Sequence, residues 1–481
     1  MGLLTFIKGW WNRMFSADVK KEYGVTGIES QSMRDAMHLW TDIYQGNAPW
    51  LDAEDGIKTI KFAETICSSI ANLTTLDIDV AFDGKRKEYM QKFFNESVKD
   101  NLREWVEFGA AVGTVILKPN GEGVDLVTPD RFEIVKKDGN RNITGIVFQD
   151  NYEDNGEFIT KLEYHRFMTA LVRINPDAEE YTETTYYTIS NKAFVSKDST
   201  SLGRPIQLKD TKWANLQPEV NIVKKNDDKL KSMLFGVFKM PKANNIDLGS
   251  PLGMSAFSNA IEELKDLDIA YSRNAAEIYD SKRTVLADDR LISLPSTRTA
   301  DGKIVRHKLK LPRFVKNVFA DDSSSFYQEI NPTINIEQRK AQIDFQLNLI
   351  GCKCGFSNGY FVLDQKTGMV TATQVESDDR ETIQLIKDIR DKLKVALNDL
   401  FYAQSVFADL YNYAPVGFYE ASYNFGDITY SYEEDKARWW MYVQAGKVPA
   451  WMYFVKFEGM SEEEAKAMSD EMNTSDGLFA E

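Results

Sequence analysis

The chain has 481 residues, 43% of them hydrophobic and 12% aromatic, with a formal net charge of −15. That length allows two to four domains and a sizeable core, and the composition excludes a disordered chain. The acidic balance excludes a conventional nucleic-acid binder, which needs a basic face to displace counterions from phosphates, though a repelling surface lets a strand slide past without sticking.

Three cysteines, Cys67, Cys352 and Cys354, cannot build a disulfide framework and suit a reducing compartment. No secretory signal is evident at the start, which Lys8 and Arg13 interrupt, and Phe6 stands where myristoylation favours Ser or Thr. The apolar run Phe108–Leu117 is too short to cross a bilayer as a helix. A soluble, intracellular protein is expected.

Leu3–Phe15 carries Leu3, Leu4, Phe6, Ile7, Trp10, Trp11 and Phe15 at helical spacing; its thin basic face favours packing on a partner or on the protein's own body over a membrane surface. Ser32–Tyr44 reads as a helix capped by Ser32, with Asp35 at the capping-box position, and Ile57–Leu73 and Lys85–Phe108 read as further helices. From about 110 to 240 the pattern becomes mainly antiparallel β: Thr114–Leu117, Val124–Val127, Phe132–Val135, Ile143–Phe148, Phe158–Phe167 and Tyr186–Ile189, punctuated by turns such as Asp138-Gly139 and Asp154-Asn155-Gly156.

Gly253–Arg283 places Phe257, Ile261, Leu264, Leu267, Ala270 and Tyr271 at three- and four-residue steps, predicting a helix of about 45 Å. An insert rich in β-forming residues, Leu286–Pro332, follows, and Ile336–Ile350 returns as a helix. Gly351–Gly368 holds too much glycine for a helix and predicts a flexible loop; Glu376–Tyr413 then predicts a helix of about 55 Å with an apolar stripe from Ile383 to Leu410. Beyond Ala414, short β runs mix with helical pieces at Asp435–Gln444 and Ser461–Met472.

Catalytic motifs are sparse. Gly355-Phe356-Ser357-Asn358-Gly359 matches the G-x-S-x-G of a hydrolase elbow, which makes a cytoplasmic serine hydrolase using Ser357 the alternative function. That fold needs an acid and a histidine after the serine, whereas His38, His165 and His307 all precede it. Cys352-Lys353-Cys354 lacks the further ligands of a closed zinc site, Asp150–Gly156 lacks calcium-loop spacing, and neither a phosphate loop nor H-E-x-x-H occurs. Asp266, Asp268, Glu277 and Asp280 on one helix suggest a solvated or channel-facing acidic surface. His307, Lys308, Lys310, Arg313 and Lys316 form the clearest basic cluster, either a solvated β edge or a docking surface for an acidic protein or DNA. No catalytic, cofactor-binding or metal-binding residue is expected.

The run Phe238–Asp247 followed by Ser250-Pro251-Leu252-Gly253, with Thr128–Phe132, Gly359-Tyr360-Phe361 and Thr371–Val375, resembles portal proteins of tailed bacteriophages, in particular long-tailed phages of Gram-positive hosts. The resemblance spans nearly the whole chain and its motifs are structural. It implies an α+β portal fold: wing 1–250, stem helix 251–285, small α/β clip 286–335, stem helix 336–351, tunnel loop 352–372, long wing helix 373–413 and a short crown-like region 414–481. It also implies a ring, usually of twelve subunits, at one capsid vertex, acting as a conduit for double-stranded DNA during packaging and ejection. The partners it implies are the large terminase, a head–tail connector or adaptor, and the major capsid and scaffolding proteins; the location it implies is the virion, with assembly in the host cytoplasm. Gly355, Ser357, Asn358, Gly359, Lys366 and Gly368 would then belong to the tunnel loop, and His307, Lys308, Lys310, Arg313 and Lys316 to the docking face of the clip. The short tail argues against a tall helical crown, and Lys353 and Lys366 against a uniformly acidic channel. A third reading is a nonviral scaffold that uses Leu3–Phe15 as a membrane or partner helix.

Overall fold

A computed structural model of the chain describes residues 15–51, 56–121, 123–173, 181–222, 230, 232–280, 284–288, 297–298, 301–302, 304–305, 315–318, 327–330, 336–362, 379–426, 432–444, 447–458, 460–461 and 464–468. Helix α1 spans 15–23 and lays Phe15 and Val19 on Val147, Leu162 and Phe194. Helix α2 is Gln31–Gln45, and extended Ser30 accepts the Met33 amide at 3.3 Å, so the cap is Ser30 and not Ser32. Asp35 accepts from Gln31 at 2.8 Å in place of closing a capping box.

Helix α3 is Phe62–Thr74, starting later than the predicted Ile57. The amides of Lys58 and Ile60 donate to Ser272 and Asp268, which holds that segment extended along another helix. Strand β1 (Asp79–Gly84) follows. The predicted helix 85–108 is broken: α4 (Lys87–Phe93), a π turn (Phe94–Val98) and a 3-10 turn lead into α5 (Leu102–Val112). The wide turn sets both Phe93 and Phe94 against Phe401, with ring centroids 6.5 and 6.3 Å away.

The β region is antiparallel, as predicted, with longer strands. Strands β2 (Thr114–Pro119) and β3 (Val124–Val127) pair; β4 (Phe132–Lys137), β5 (Ile143–Asp154), β6 (Glu157–Arg173), β7 (Tyr181–Ser196) and β8 (Arg204–Ile206) lie in chain order in the largest sheet, and β9 (Glu219–Ile222) also pairs with β7. Asn155 and Gly156, at φ of +51° and +77°, make the two-residue turn between β5 and β6. Strand β10 (Gly236–Lys239) returns to β2.

Helix α6 is Ile261–Asp280, so the predicted start at Gly253 is too early. The amides of Gly253 and Ala256 donate to Thr114 Oγ1 and to the Ala110 carbonyl, at 2.8 and 2.9 Å, which holds 253–256 along β2 and α5 in a non-helical path. Beyond it, β11 (Thr284–Asp288) runs parallel to β14 (Val315–Val318) and antiparallel to β15 (Tyr327–Ile330), while β12 (Thr297–Arg298) and β13 (Ile304–Val305) pair with each other. Helix α7 (Ile336–Cys354) returns to the body and extends one turn past the predicted end.

Helix α8 (Arg380–Tyr411) organises the core. Ile386, Ile389, Leu393, Ala396, Leu397, Leu400 and Phe401 are buried on one stripe. Gly236 of β10 packs so closely that a Cβ there would stand 2.2 Å from the Ala396 carbonyl oxygen. Strand β16 (Tyr419–Asn424) pairs antiparallel with β1, so residues assigned by the resemblance to a crown-like region join the N-terminal body. Helices α9 (Tyr432–Gln444) and α10 (Ala450–Glu458), with the helical turn 464–468, bury Tyr453, Phe454, Phe457 and Ala465 in a cluster of their own. Helix α10 is absent from the predicted elements, because its aromatic run Trp451–Phe454 has the composition of a strand.

Two buried arginines fasten α8. Arg390 donates to the carbonyls of Leu73, Thr74 and Gly426 at 2.9, 3.0 and 2.8 Å. Arg86 donates to the carbonyls of Ser405 and Pro415 and pairs with Asp409. Arg390→Met is expected to lower stability by about 3 kcal/mol, because three carbonyls lose a charged donor. Lys387→Met on the exposed face should stay within about 0.5 kcal/mol. Urea unfolding with unchanged m value checks both.

Candidate functional site

The site with a shape of its own is the pair of helices α6 and α7, together with the chain that leaves α7. On α6 the buried stripe of Leu264 and Leu267 continues outward as Tyr271 and Ile278, which are 44% and 54% exposed. On α7, Leu347 and Ile350 are buried while Ile336, on the same face, is 67% exposed. Phe345, 68% exposed, and Leu349 form a second apolar ridge on the opposite side of α7. Both helices therefore carry apolar faces past the point where the described residues cover them.

Between the helices runs a polar cleft of about 510 Å³ lined by Asp266, Arg273, Glu277, Arg339, Gln342 and Gln346. Ion pairs Arg339–Glu277 and Lys353–Glu263 tie α7 to α6. These contacts correct the expected acidic surface. Glu277 is neutralised within the chain, and Asp268 is a structural group only 4% exposed, accepting from Trp50 Nε1 and the Ile60 amide at 3.0 and 3.1 Å. Burial raises the Asp268 carboxyl above its ordinary range even though both bonds work the other way. Asp266 lines the cleft, and the side chain of Asp280 lies outside the described residues.

The first part of the predicted flexible loop is pinned. Gly355, at φ +93°, ends α7, and Phe356 turns back so that its amide donates to the Gly351 carbonyl at 3.0 Å. Phe356, fully buried, packs its ring 4.7 Å from Tyr360 and 4.8 Å from Phe361, and Phe361 meets Phe62 at 5.1 Å. The Gly359 amide donates to Asn348 Oδ1 at 2.7 Å, and Asn358 is exposed. Lys366 and Gly368 lie outside the described residues, as do His307, Lys308, Lys310 and Arg313, while Lys316 falls in β14 by its backbone.

Ser357 is not placed as a nucleophile. It is 3% exposed, its amide donates to Thr382 Oγ1 at 2.8 Å, and its hydroxyl accepts the Thr382 amide at 3.1 Å. Thr382 lies in the first turn of α8, so Ser357 caps that helix from a distant part of the chain. No histidine is among its partners: His165 is buried in β6, with Nδ1 on Tyr187 and Nε2 on Glu163 at 2.7 and 2.6 Å. Burial raises the thiols of Cys67 and Cys354, the latter to about 12, so neither is a thiolate. Among the described residues no group of three or more His, Cys, Asp or Glu could hold a metal ion, and no helix is long and apolar enough to cross a membrane.

Tyr271 belongs to the apolar stripe read from the sequence, as does Ile336, whereas Ile278, Phe345 and Leu349 were not singled out. Phe345 gives a usable signal, since it lies off the stripe made by Ile343, Leu347 and Ile350, where a solvated helix would carry a polar residue.

Two solved structures are similar in outline. One is described as the neck of an empty GTA particle computed with C6 symmetry: 11% identity, 87% of this chain and 92% of that chain covered, TM-score 0.39. The other is described as the neck of a native GTA particle computed with C12 symmetry: 11% identity, 88% and 93% covered, TM-score 0.37. No protein-family model matches the chain, and no curated protein matches it.

Ser357→Ala is expected to destabilise the protein by about 1 kcal/mol, through the lost cap, without changing any turnover of ester substrates. Thr382→Ala should act through the same contact, so the double substitution should be less than additive in thermal or urea unfolding.

Proposed function

We propose that this chain is a subunit of a ring-shaped portal, a conduit through which double-stranded DNA enters and leaves a phage capsid. The observation that carries the reading is the α6–insert–α7 excursion, with apolar faces on both helices that the described residues do not cover. A neighbouring copy is the economical cover, because a repeated heterologous contact closes into a ring. The sequence resemblance supplies the rest. In this reading α6 and α7 are stem helices, the β11–β15 insert is the clip, the chain from 352 to 372 is the tunnel loop and α8 lies in the wing. The ring holds about twelve copies and sits in the virion at one vertex. The large terminase and the head–tail connector dock on the clip, with His307, Lys308, Lys310, Arg313 and Lys316 as the docking residues, and the major capsid and scaffolding proteins are further partners. Net negative charge repeated around a channel lowers the tendency of phosphate to stick.

Negative-stain microscopy of the purified chain is expected to show rings with a central hole; a monomer or dimer at every concentration would sink the reading. Phe345→Asp and Tyr271→Asp should abolish rings while leaving the unfolding midpoint of the subunit within about 0.5 kcal/mol of wild type, because both positions are exposed in the single chain. Shortening 363–372 should leave rings intact and impair DNA packaging, whereas cutting into 355–362 should also destabilise the subunit. Loss of rings on shortening 363–372 would refute the tunnel-loop role.

A further inference from the structure

Where α1 meets the large sheet, one guanidinium serves two buried carboxyl groups. Arg34 donates to Glu133 Oε1 at 2.9 Å and also to Ser16 of α1, while Ser16 donates to Glu133 Oε2 at 2.9 Å. Glu29 sits beside them. Its Oε1 accepts the Ile134 amide at 3.1 Å, the Ile28 amide donates to the Ile134 carbonyl at 2.9 Å, and its Oε2 has no hydrogen-bond partner. That oxygen is 4.0 Å from Arg34, beyond bonding reach. A cavity of about 10 Å³, room for a single water, opens among Phe15, Glu29, Arg34, Met37, Phe132 and Glu133.

The charges do not balance if both acids are ionised. One cation would face two carboxylates in a buried site, and Arg34 could satisfy Glu29 only by loosening its hold on Glu133 and Ser16. With one acid neutral, Arg34 and Glu133 form a complete pair and Ser16 bridges them. Other charged groups are turned elsewhere: Asp247 accepts the Ser30 amide with Lys137 near it, and Glu22 of α1 pairs with Lys192. Asp18 of α1 has Lys21 and Glu22 as its charged neighbours.

We infer that Glu29 is held as a neutral acid and that its proton latches α1 onto the sheet through the Arg34–Glu133–Ser16 set. Burial first, and then the charge of Glu133, raise the Glu29 carboxyl from an ordinary 4.5 to about 8. A group whose value is raised in the folded state contributes stability that is fully present below about 4.5 and is lost as pH rises through about 8, and α1 shares in that loss through Ser16. Between those limits one proton is linked to release, so the docking equilibrium should fall up to about tenfold per pH unit.

Hydrogen exchange of the full chain tests this, read as protection of amides 15–23 relative to an unstructured peptide at the same pH. Wild type is expected to lose protection progressively between about pH 4.5 and 8 and then level off. Burial raises the Glu133 carboxyl as well, so Glu29→Gln should remain docked with a shallower profile. Glu133→Gln frees Arg34 to neutralise Glu29, so the loss should shift below pH 7. Circular dichroism of each variant separates a local change from misfolding. A flat wild-type profile, an unchanged slope in Glu29→Gln, or a slope abolished by Glu133→Gln but not by Glu29→Gln would each overturn the latch.

Discussion

The structure depends on how α8 is held. Its apolar stripe gathers β10, α3, β2 and the β1–β16 pair, but burial alone does not fix how far a helix slides along its own axis. Two guanidiniums supply that constraint. Arg390 reaches out of α8 to the end of α3 and to Gly426; Arg86 reaches into α8 from the turn before α4. Each of these guanidiniums ends on backbone carbonyls, whose positions are set by the main chain. The partly negative end of α3 also suits a cation. The first turn of α8 is fixed in turn by Ser357, and thereby the chain leaving α7 is fixed to the body.

That arrangement explains why the excursion through α6 and α7 can project. Its roots are rigid: Asp268 locks α6 to Trp50 and Ile60, Lys353 ties α7 to Glu263, and the Phe356–Tyr360–Phe361 cluster closes the exit from α7. A projecting pair with loose roots could not present Tyr271 and Phe345 at a fixed angle to anything. A glycine-rich sequence here therefore does two things: it turns the chain tightly at Gly355, and it lets aromatic rings stack around the turn.

Much of the fold was legible in the sequence where one physical signal acts alone. The stripe from Ile386 to Phe401 shows α8, and alternation with Gly and Asn turns shows the β meander, because burial dictates both patterns. Errors fall where a tertiary partner takes a backbone group. Residues 57–60 and 253–256 carry helical spacing, yet hydrogen bonds to Asp268, Ser272, Thr114 and Ala110, all far away in the chain, fix them in a non-helical path. The G-x-S-x-G match was legible as a motif, while the use of Ser357 as a cap depends on Thr382, which spacing alone cannot bring near it. Arg390 carried an unused signal: a charge on the buried stripe of a long helix implies a built partner set.

The pairing of β1 with β16 has a consequence for synthesis. Gly84 of β1 waits for Tyr419 of β16, 335 residues later, so the body cannot close until Tyr419–Asn424 has left the ribosome. Truncated products lack the strand that completes the ribbon and the carbonyls that Arg86 and Arg390 seek at Pro415 and Gly426. Placing the closing strand 335 residues after its partner makes closure of the body a test that synthesis has run as far as β16.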